Sequence, residues 1–362
     1  MNQDNKPIKY MLIRNLLFDP ENPRLPSHID GSNEIEVINW MLKDATLLEL
    51  MAAIGNQGYF PGEPILVVPY NENFIVVEGN RRLAAVKLLS DPSISKIKER
   101  SVKQISKESD HHPEKLPTLV FDNRDEILNY LGYRHVTGIK SWGPLSKAKY
   151  LDQLYNREPD GSLEEKLRSI ARVIGSRSDY VGRLLTGLKL YRIIEDHDFY
   201  NIENLNEESF DFSKITTAVN YTNIADYLDL VSGQDPSFEE IDQNHLEKLT
   251  RWIFEEDENR DTRVGDIRNL RKLSEIVKNP KALRAFESGK KIDVAFNQTG
   301  APADIYRNSI VDIIENLKEA QNYASFVEDP TQGDIENLKE INQLARSIHS
   351  ILREAQREDF EL

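Results

Sequence analysis

Residues 76–85 read VVEGNRRLAA: an apolar, strand-like run, a glycine, and two arginines at the start of a helical pattern. A helix N-terminus carries unpaired N–H groups and a partial positive charge. The same dipole disfavours arginine there, so Arg81 and Arg82 make sense if an anion occupies the turn. The stretch therefore predicts a phosphate site, with a triphosphate as the natural ligand. The alternative is that both arginines pair with carboxylates such as Glu78.

The sequence around this turn predicts an α+β domain over residues 1–125. Apolar residues at helical spacing cover 33–56, and two apolar runs at 64–69 and 74–77, separated by turn residues, are typical of a hairpin. The other predicted elements are a strand at 9–15, a helix at 82–89 and a strand at 116–121. From about residue 126 the pattern is almost entirely helical.

The turn also carries a family resemblance. Residues 79–85 resemble the Gly-Glu-Arg-Arg motif of the ParB N-terminal domain, a fold shared with sulfiredoxin, and Asn22-Pro23-Arg24 and Glu63-Pro64-Ile65 precede it in the same order. In that family the domain is a CTP-binding switch. The resemblance implies a nucleoside triphosphate, CTP or ATP with Mg²⁺, as the ligand. The residues assigned to it are Gly58, Gly62, Glu78, Gly79, Asn80, Arg81 and Arg82.

Two features depart from the family pattern. Asn80 stands where the motif has glutamate, and the family's later Glu-Asn-x-x-Arg motif has its nearest equivalent at residues 133–138. There Arg134 and His135 are the candidate nucleotide contacts. The sulfiredoxin reaction is excluded because it needs a catalytic cysteine and this chain has none. The same absence excludes disulfides and zinc–thiolate sites.

A second motif predicts a helix-turn-helix over residues 163–188, within a DNA-binding domain at 126–200. Small Ala171, turn-forming Gly175, and apolar Val181 and Leu184 stand at the spacing that packs two such helices together. Residues 142–148 and 174–190 also resemble the central domain of ParB. The alternative is an ordinary helical corner that touches no DNA.

The predicted DNA contacts follow from the geometry of that motif. Polar residues at the start of the second helix reach base edges and phosphates, and cations elsewhere contact the backbone. Arg177 is the best candidate for a specific base contact. The full set is Arg168, Arg172, Ser176, Arg177, Ser178, Arg183, Lys189 and Arg192.

Charge is segregated along the chain, whose formal net charge is -15. Residues 134–192 carry 12 basic and 6 acidic side chains, whereas residues 193–362 carry 19 basic and 36 acidic ones. Segregation of this kind suggests distinct partners, such as DNA for the basic middle and a protein for the acidic half. No secretory signal and no membrane-length apolar stretch are apparent, so the expected location is the cytoplasm.

The acidic half is predicted to be helical, with a domain of unknown role at 201–300 and a helical hairpin at 301–362. The hairpin's helices are expected at 303–326 and 333–356, with an apolar stripe that packs within the chain or across a homodimer. A dimer is favoured because ParB proteins dimerise through a C-terminal element. The stripe consists of Ile305, Ile310, Ile313, Ile314, Leu317, Leu338, Ile341, Leu344, Ile348, Ile351 and Leu352.

Three functions fit these features. The leading one is a DNA-binding protein switched by a nucleoside triphosphate, in partition, transcription control, or mobile-element and phage-defence biology. The second is an enzyme on the same fold, either a nuclease or a CTPase-like NTPase or phosphotransferase, for which no catalytic or metal-binding residues are evident. The third is an adaptor that binds proteins through its acidic half.

Overall fold

The computed structural model describes residues 6–44, 46–131, 142–159 and 161–358, apart from the side chains of residue 129 and of 355–358. It divides into two compact units, residues 1–296 and 297–362. Within the described residues, no helix is both long and apolar enough to cross a membrane.

The N-terminal part of the first unit is built on a mixed five-stranded sheet with the order β1-β5-β3-β4-β2. The strands are β1 (Lys9–Leu12), β2 (Leu16–Phe18), β3 (Ile65–Tyr70), β4 (Asn73–Glu78) and β5 (Lys115–Val120). The hairpin β3–β4 is antiparallel, as predicted, whereas β2 pairs with β4 and β3 with β5 in parallel.

The single strand predicted at 9–15 is wrong. A 3₁₀ turn at Ile13–Asn15 separates β1 from β2, and the two strands lie at opposite edges of the sheet. The chain must turn at this point because β1 pairs with β5 while β2 pairs with β4. Long-range pairing therefore overrides a local pattern that favours one continuous strand.

Four helices complete this domain around one apolar core: α1 (Glu34–Lys43), α2 (Thr46–Gln57), α3 (Asn80–Ser90) and α4 (Glu99–Glu108). The helical region predicted at 33–56 is two helices. The break follows from capping, since the Asp44 carboxylate accepts a hydrogen bond of 2.9 Å from the Thr46 amide. The sequence patterns did not predict α4, and α3 begins two residues earlier than expected.

The rest of the first unit is helical, which confirms the predicted change of class. Its helices are α5 (Arg124–Leu131), α6 (Pro144–Tyr155), α7 (Leu163–Ile174), α8 (Ser178–Asp196), α9 (Phe212–Ala218), α10 (Thr222–Tyr227), α11 (Gln243–Phe254), α12 (Leu270–Lys278), α13 (Pro280–Glu287) and α14 (Ile292–Phe296). A continuous apolar core joins α5 to α14. The domain boundary predicted at residue 200 stays a prediction, because this core has members on both sides of it.

Helices α7 and α8 form the corner expected of a helix-turn-helix. A capping box between Ser162 and Glu165 starts α7, and Gly175 ends it with a positive φ of 64°. Ala171, Val181 and Leu184 are buried between the helices. Helix α8 continues to Asp196, eight residues beyond the predicted end, because its apolar face packs on α6 and α9.

The second unit consists of α15 (Ala301–Tyr323) and α16 (Gln332–Glu358), close to the predicted helices. None of its described side chains is buried, and apolar residues along both helices are exposed. Packing of the apolar stripe within the chain, one of the two predicted alternatives, is therefore not seen among the described side chains.

Candidate functional site

The glycine before α3 has a left-handed backbone conformation, and the helix begins directly after it. Gly79 has a positive φ of 107°, and a Cβ there would lie 3.1 Å from the Ile65 side chain. The Leu83 amide donates a hydrogen bond to the Gly79 carbonyl oxygen and closes the first helical turn. The amides of the first helical residues therefore remain as donors at the positive end of α3.

This turn lies at a cavity of about 700 Å³. The walls come from Asn22–Arg24, the facing sides of α1 and α2, residues 77–82, and Trp142 with Gly143. Cavities of roughly 300–1,000 Å³ hold ligands of nucleotide size. The walls combine residues of the α+β domain with the two residues that precede α6.

Arg24 and Arg81 supply positive charge to the cavity. The Arg81 guanidinium donates to the Thr46 hydroxyl and lies 4.0 Å from the Asp44 carboxylate. Burial lowers the pKa of Arg24, and the charge of Arg81 lowers it further. Arg24 and Arg81 line the same cavity and repel each other, although Asp44 and Glu78 partly offset this repulsion. An anion bound beside both guanidinium groups relieves it further.

Arg82 points to a different environment from Arg81. Its guanidinium lies 3.2 Å from the Tyr59 hydroxyl, 3.4 Å from the Glu78 carboxylate and 3.6 Å from that of Glu63. Only 13% of the side chain is exposed. Pairing with Glu78, the alternative considered for both arginines, thus describes Arg82, and a phosphate contact from Arg82 stays a prediction.

Asn80, the departure from the family motif, is a buried structural residue. Its side-chain oxygen accepts from the Asp19 amide at 3.2 Å, and its side-chain nitrogen donates to the Val76 carbonyl at 2.8 Å. An ionised glutamate accepts hydrogen bonds but cannot donate one to a carbonyl. An amide therefore suits this position, and it fastens the loop that begins at Asp19 to the turn before α3.

Of the other predicted nucleotide contacts, Glu78 lies in the cavity wall, whereas Gly58 and Gly62 do not. Gly58 follows α2 with a positive φ of 78° and lies near His111, and Gly62 lies against the Phe60 ring. Neither glycine is among the lining residues, whereas Glu63 and Glu78 are. Arg134 and His135 lie outside the described residues.

Several lining residues were missed as site residues by sequence reasoning, chiefly Arg24, Asp44, Thr46 and Trp142. Arg24 was visible within the Asn22-Pro23-Arg24 resemblance. Trp142 stood within the resemblance at residues 142–148, but nothing there linked it to the cavity. Asp44 and Thr46 carry no local pattern, because only the packing of α1 and α2 brings them to the turn.

The loop from Asp19 to Leu25 connects the cavity wall to the helical domain. The Asp19 carboxylate is 1% exposed and lies 2.6 Å from the Arg124 guanidinium at the start of α5. Burial raises the pKa of Asp19, and the bond from Arg124 opposes this rise. The Glu21 carbonyl accepts from Gln153 on α6 at 2.7 Å. The loop that carries Arg24 therefore contacts both α5 and α6.

The start of α8 presents most of the predicted DNA-facing residues to solvent. The Arg177 side chain is 78% exposed and lies 2.7 Å from the Asp179 carboxylate. Arg183 lies over the Tyr180 ring, with its guanidinium carbon 5.6 Å from the ring centroid. Arg172 is exposed, Ser176 and Ser178 are partly exposed, and Arg168 pairs with Glu164 at 2.5 Å.

Lys189 was predicted to contact DNA, but it does not present its charge to solvent. Its ammonium group donates to the backbone carbonyls of Pro236 and Phe238. Arg192 is half exposed but lies 2.5 Å from the Asp152 carboxylate. The sequence pattern missed both partners because they come from distant parts of the chain.

Comparison with known proteins gave a family match for part of the chain and a match among solved structures. Residues 28–112 match the ParB N-terminal domain family, and this range contains α1, α2 and the glycine turn. Among solved structures, the C-terminally truncated chromosome-partitioning protein ParB from Caulobacter crescentus, complexed to the centromeric parS site, is 14% identical, with 60% of this chain and 88% of that chain covered and a TM-score of 0.31. No curated protein matches the chain. Residues 28–112 of this chain are therefore similar to the ParB N-terminal domain family.

Proposed function

We propose that this chain binds double-stranded DNA through α7 and α8, and that a nucleoside triphosphate in the cavity switches this binding. The main support for the nucleotide site is the pair Arg24 and Arg81, which lines a cavity of about 700 Å³ at the positive end of α3. Phosphates favour such a combination of amides, helix dipole and guanidinium groups. The solved ParB structure named above is bound to parS DNA, which supports DNA as the second ligand.

The coupling between the two ligands follows from shared contacts. Residues of the Asp19–Leu25 loop line the cavity at one end and bond to α5 and α6 at the other. Helix α6 in turn packs on α8. A triphosphate that draws Arg24 toward Arg81 therefore biases the position of the helices that carry the DNA contacts, which is the differential contact that a switch requires.

Titration calorimetry of the full chain with CTP, ATP, GTP and UTP, with and without Mg²⁺, tests the nucleotide half of this function. We expect one triphosphate to bind at micromolar to millimolar concentration and to change the affinity for duplex DNA in gel shifts. Failure of all four to bind at millimolar concentration would exclude the switch. Release of phosphate or cleavage of DNA in the same samples would favour an enzyme.

Arg177→Ala should weaken binding to a cognate DNA site by about 1–3 kcal/mol and relax its sequence preference. The side chain lies at the N-terminal end of α8, which this motif places against base edges in the major groove. Fluorescence anisotropy with cognate and random duplexes measures both effects. Arg284→Ala, which removes a cation from α13 instead, is the control. Equal losses on both duplexes would assign Arg177 to the phosphate backbone.

Residues 297–362 should bring two copies of the chain together. Apolar residues such as Ile314, Leu338 and Leu344 are exposed along α15 and α16, and pairing of two copies removes them from water. Light scattering at tens of micromolar should give the mass of a dimer, and Ile314→Asp with Leu344→Asp should give a monomer. Lys318→Asp, which replaces a polar residue of α15 and leaves the apolar residues in place, is the control. A wild-type monomer under these conditions would refute the dimer.

A further inference from the structure

One flank of α8 is covered by a later segment of the same chain, Ser232–Phe238, which we call the strap. A Cβ on Gly182 would lie 2.2 Å from the Gln234 carbonyl oxygen, so only glycine admits the strap at this point of α8. A Cβ on Gly233 would likewise lie 1.8 Å from the Val219 carbonyl oxygen. Two close backbone approaches therefore hold the first half of the strap.

Lys189 holds the second half. It lies seven residues after Gly182, which is two helical turns along the same flank of α8. Its ammonium group is 3.3 Å from the Pro236 carbonyl, donates also to the Phe238 carbonyl, and lies 4.3 Å from the centroid of the Phe238 ring. Thr186, between these two contacts, is fully buried.

If α8 enters the major groove as proposed, the strap competes with DNA for the space beside this helix. An α-helix with its side chains is about 10–12 Å across, and the major groove is about 12 Å wide, so little room remains for a second chain segment beside the helix. Gly182 lies in the second turn of α8, close to the end predicted to reach base edges. Residues 231–240 also carry Asp235, Glu239 and Glu240 with no lysine or arginine, and this charge repels phosphates.

We propose that the strap is an autoinhibitory contact, which lies against α8 and must move before this helix enters the major groove. Lys189 is then the latch that holds the strap and is not a DNA contact. The inference rests on the proposed DNA binding and adds a second control to it, independent of the nucleotide cavity. If Lys189 were a DNA contact, as the sequence predicts, loss of its cation would weaken DNA binding. The strap inference predicts the opposite, that loss of this cation tightens DNA binding.

Lys189→Met tests this sign. We expect the full-length variant to bind duplex DNA roughly tenfold more tightly than wild type, within the usual range for coupling between two states. Arg192→Met removes one cation from the same helix without touching the strap, so it should bind with equal or lower affinity. Thermal unfolding of both variants checks that they are folded.

Glu239→Gln with Glu240→Gln is a second test, since both side chains are exposed. It should tighten DNA binding more than Glu256→Gln with Glu258→Gln, a matched loss of two charges in another loop. Because the chain has no cysteine, Gln234→Cys labelled with a fluorophore reports strap movement directly. Its emission should change when DNA is added.

The outcomes separate the two proposals. If neither wild type nor any variant binds DNA, the proposed function fails and the strap inference fails with it. If wild type binds DNA while Lys189→Met is no tighter and the label on residue 234 does not respond, DNA binding stands and the strap inference alone is overturned.

Discussion

Asp19→Ala should lower the free energy of unfolding by about 3–5 kcal/mol, the usual cost of removing one partner from a buried ion pair. The Asp19 carboxylate is 1% exposed, and the Arg124 guanidinium that it contacts is 12% exposed. Without Asp19 this guanidinium stays buried and loses its closest acceptor. Denaturant unfolding monitored by circular dichroism measures the loss.

Asp19→Asn is the matched variant, and it should cost less because it keeps an oxygen acceptor for Arg124. Burial raises the pKa of Asp19 above its ordinary value of 3.8. The folded chain thus holds this proton more tightly than the unfolded chain, so the group's contribution to stability is present below pH 3.8 and is lost as the pH rises through its folded pKa. The stability of Asp19→Asn relative to wild type should therefore improve as the pH rises. A constant difference would contradict the raised pKa.

Arg24→Ala and Arg81→Ala should each weaken triphosphate binding by about 1.5–3 kcal/mol, the value of a charge-assisted hydrogen bond. The double variant should lose binding by roughly a hundredfold or more, since each substitution removes a separate guanidinium from the anion site. Calorimetry with the triphosphate that binds wild type best measures the loss. The fold should be retained, because neither side chain lies in the apolar core.

Two control variants sharpen this prediction. Arg100→Ala removes an exposed cation from α4, away from the cavity, and should leave nucleotide binding unchanged. Arg82→Ala should mainly lower stability, because Arg82 bonds to Tyr59, Glu63 and Glu78. Full nucleotide affinity in Arg24→Ala with Arg81→Ala would move the anion site elsewhere.

The sequence was most informative where the geometry of a site depends on neighbouring residues. Residues 76–85 determine a junction of strand, turn and helix. Only glycine adopts the positive φ at position 79 without strain. The helix-turn-helix was equally readable, since Ala171, Gly175 and Leu184 act through spacing within 14 residues. Each of these features depends on backbone conformation and local packing.

Sequence reasoning was less informative about single side chains. Arg81 and Arg82 are adjacent and identical and both line the cavity, yet Arg81 bonds to Thr46 whereas Arg82 is enclosed by Tyr59 and two carboxylates. Successive helix residues point about 100° apart, so neighbours face different surroundings. Which surroundings each one meets depends on α2 and the loop that follows it.

By itself, the sequence determined the change from an α+β region to a helical one, the turn that starts α3, and the two helices α7 and α8. Only the tertiary structure decided that residues 9–15 divide between two sheet edges, that Asn80 joins a distant loop to the turn, and that Lys189 holds the strap. The physical reason is the range of the interactions. Glycine conformation, capping and helical spacing act within a few residues, whereas strand pairing, buried ion pairs and bonds to distant carbonyls exist only after the chain has folded.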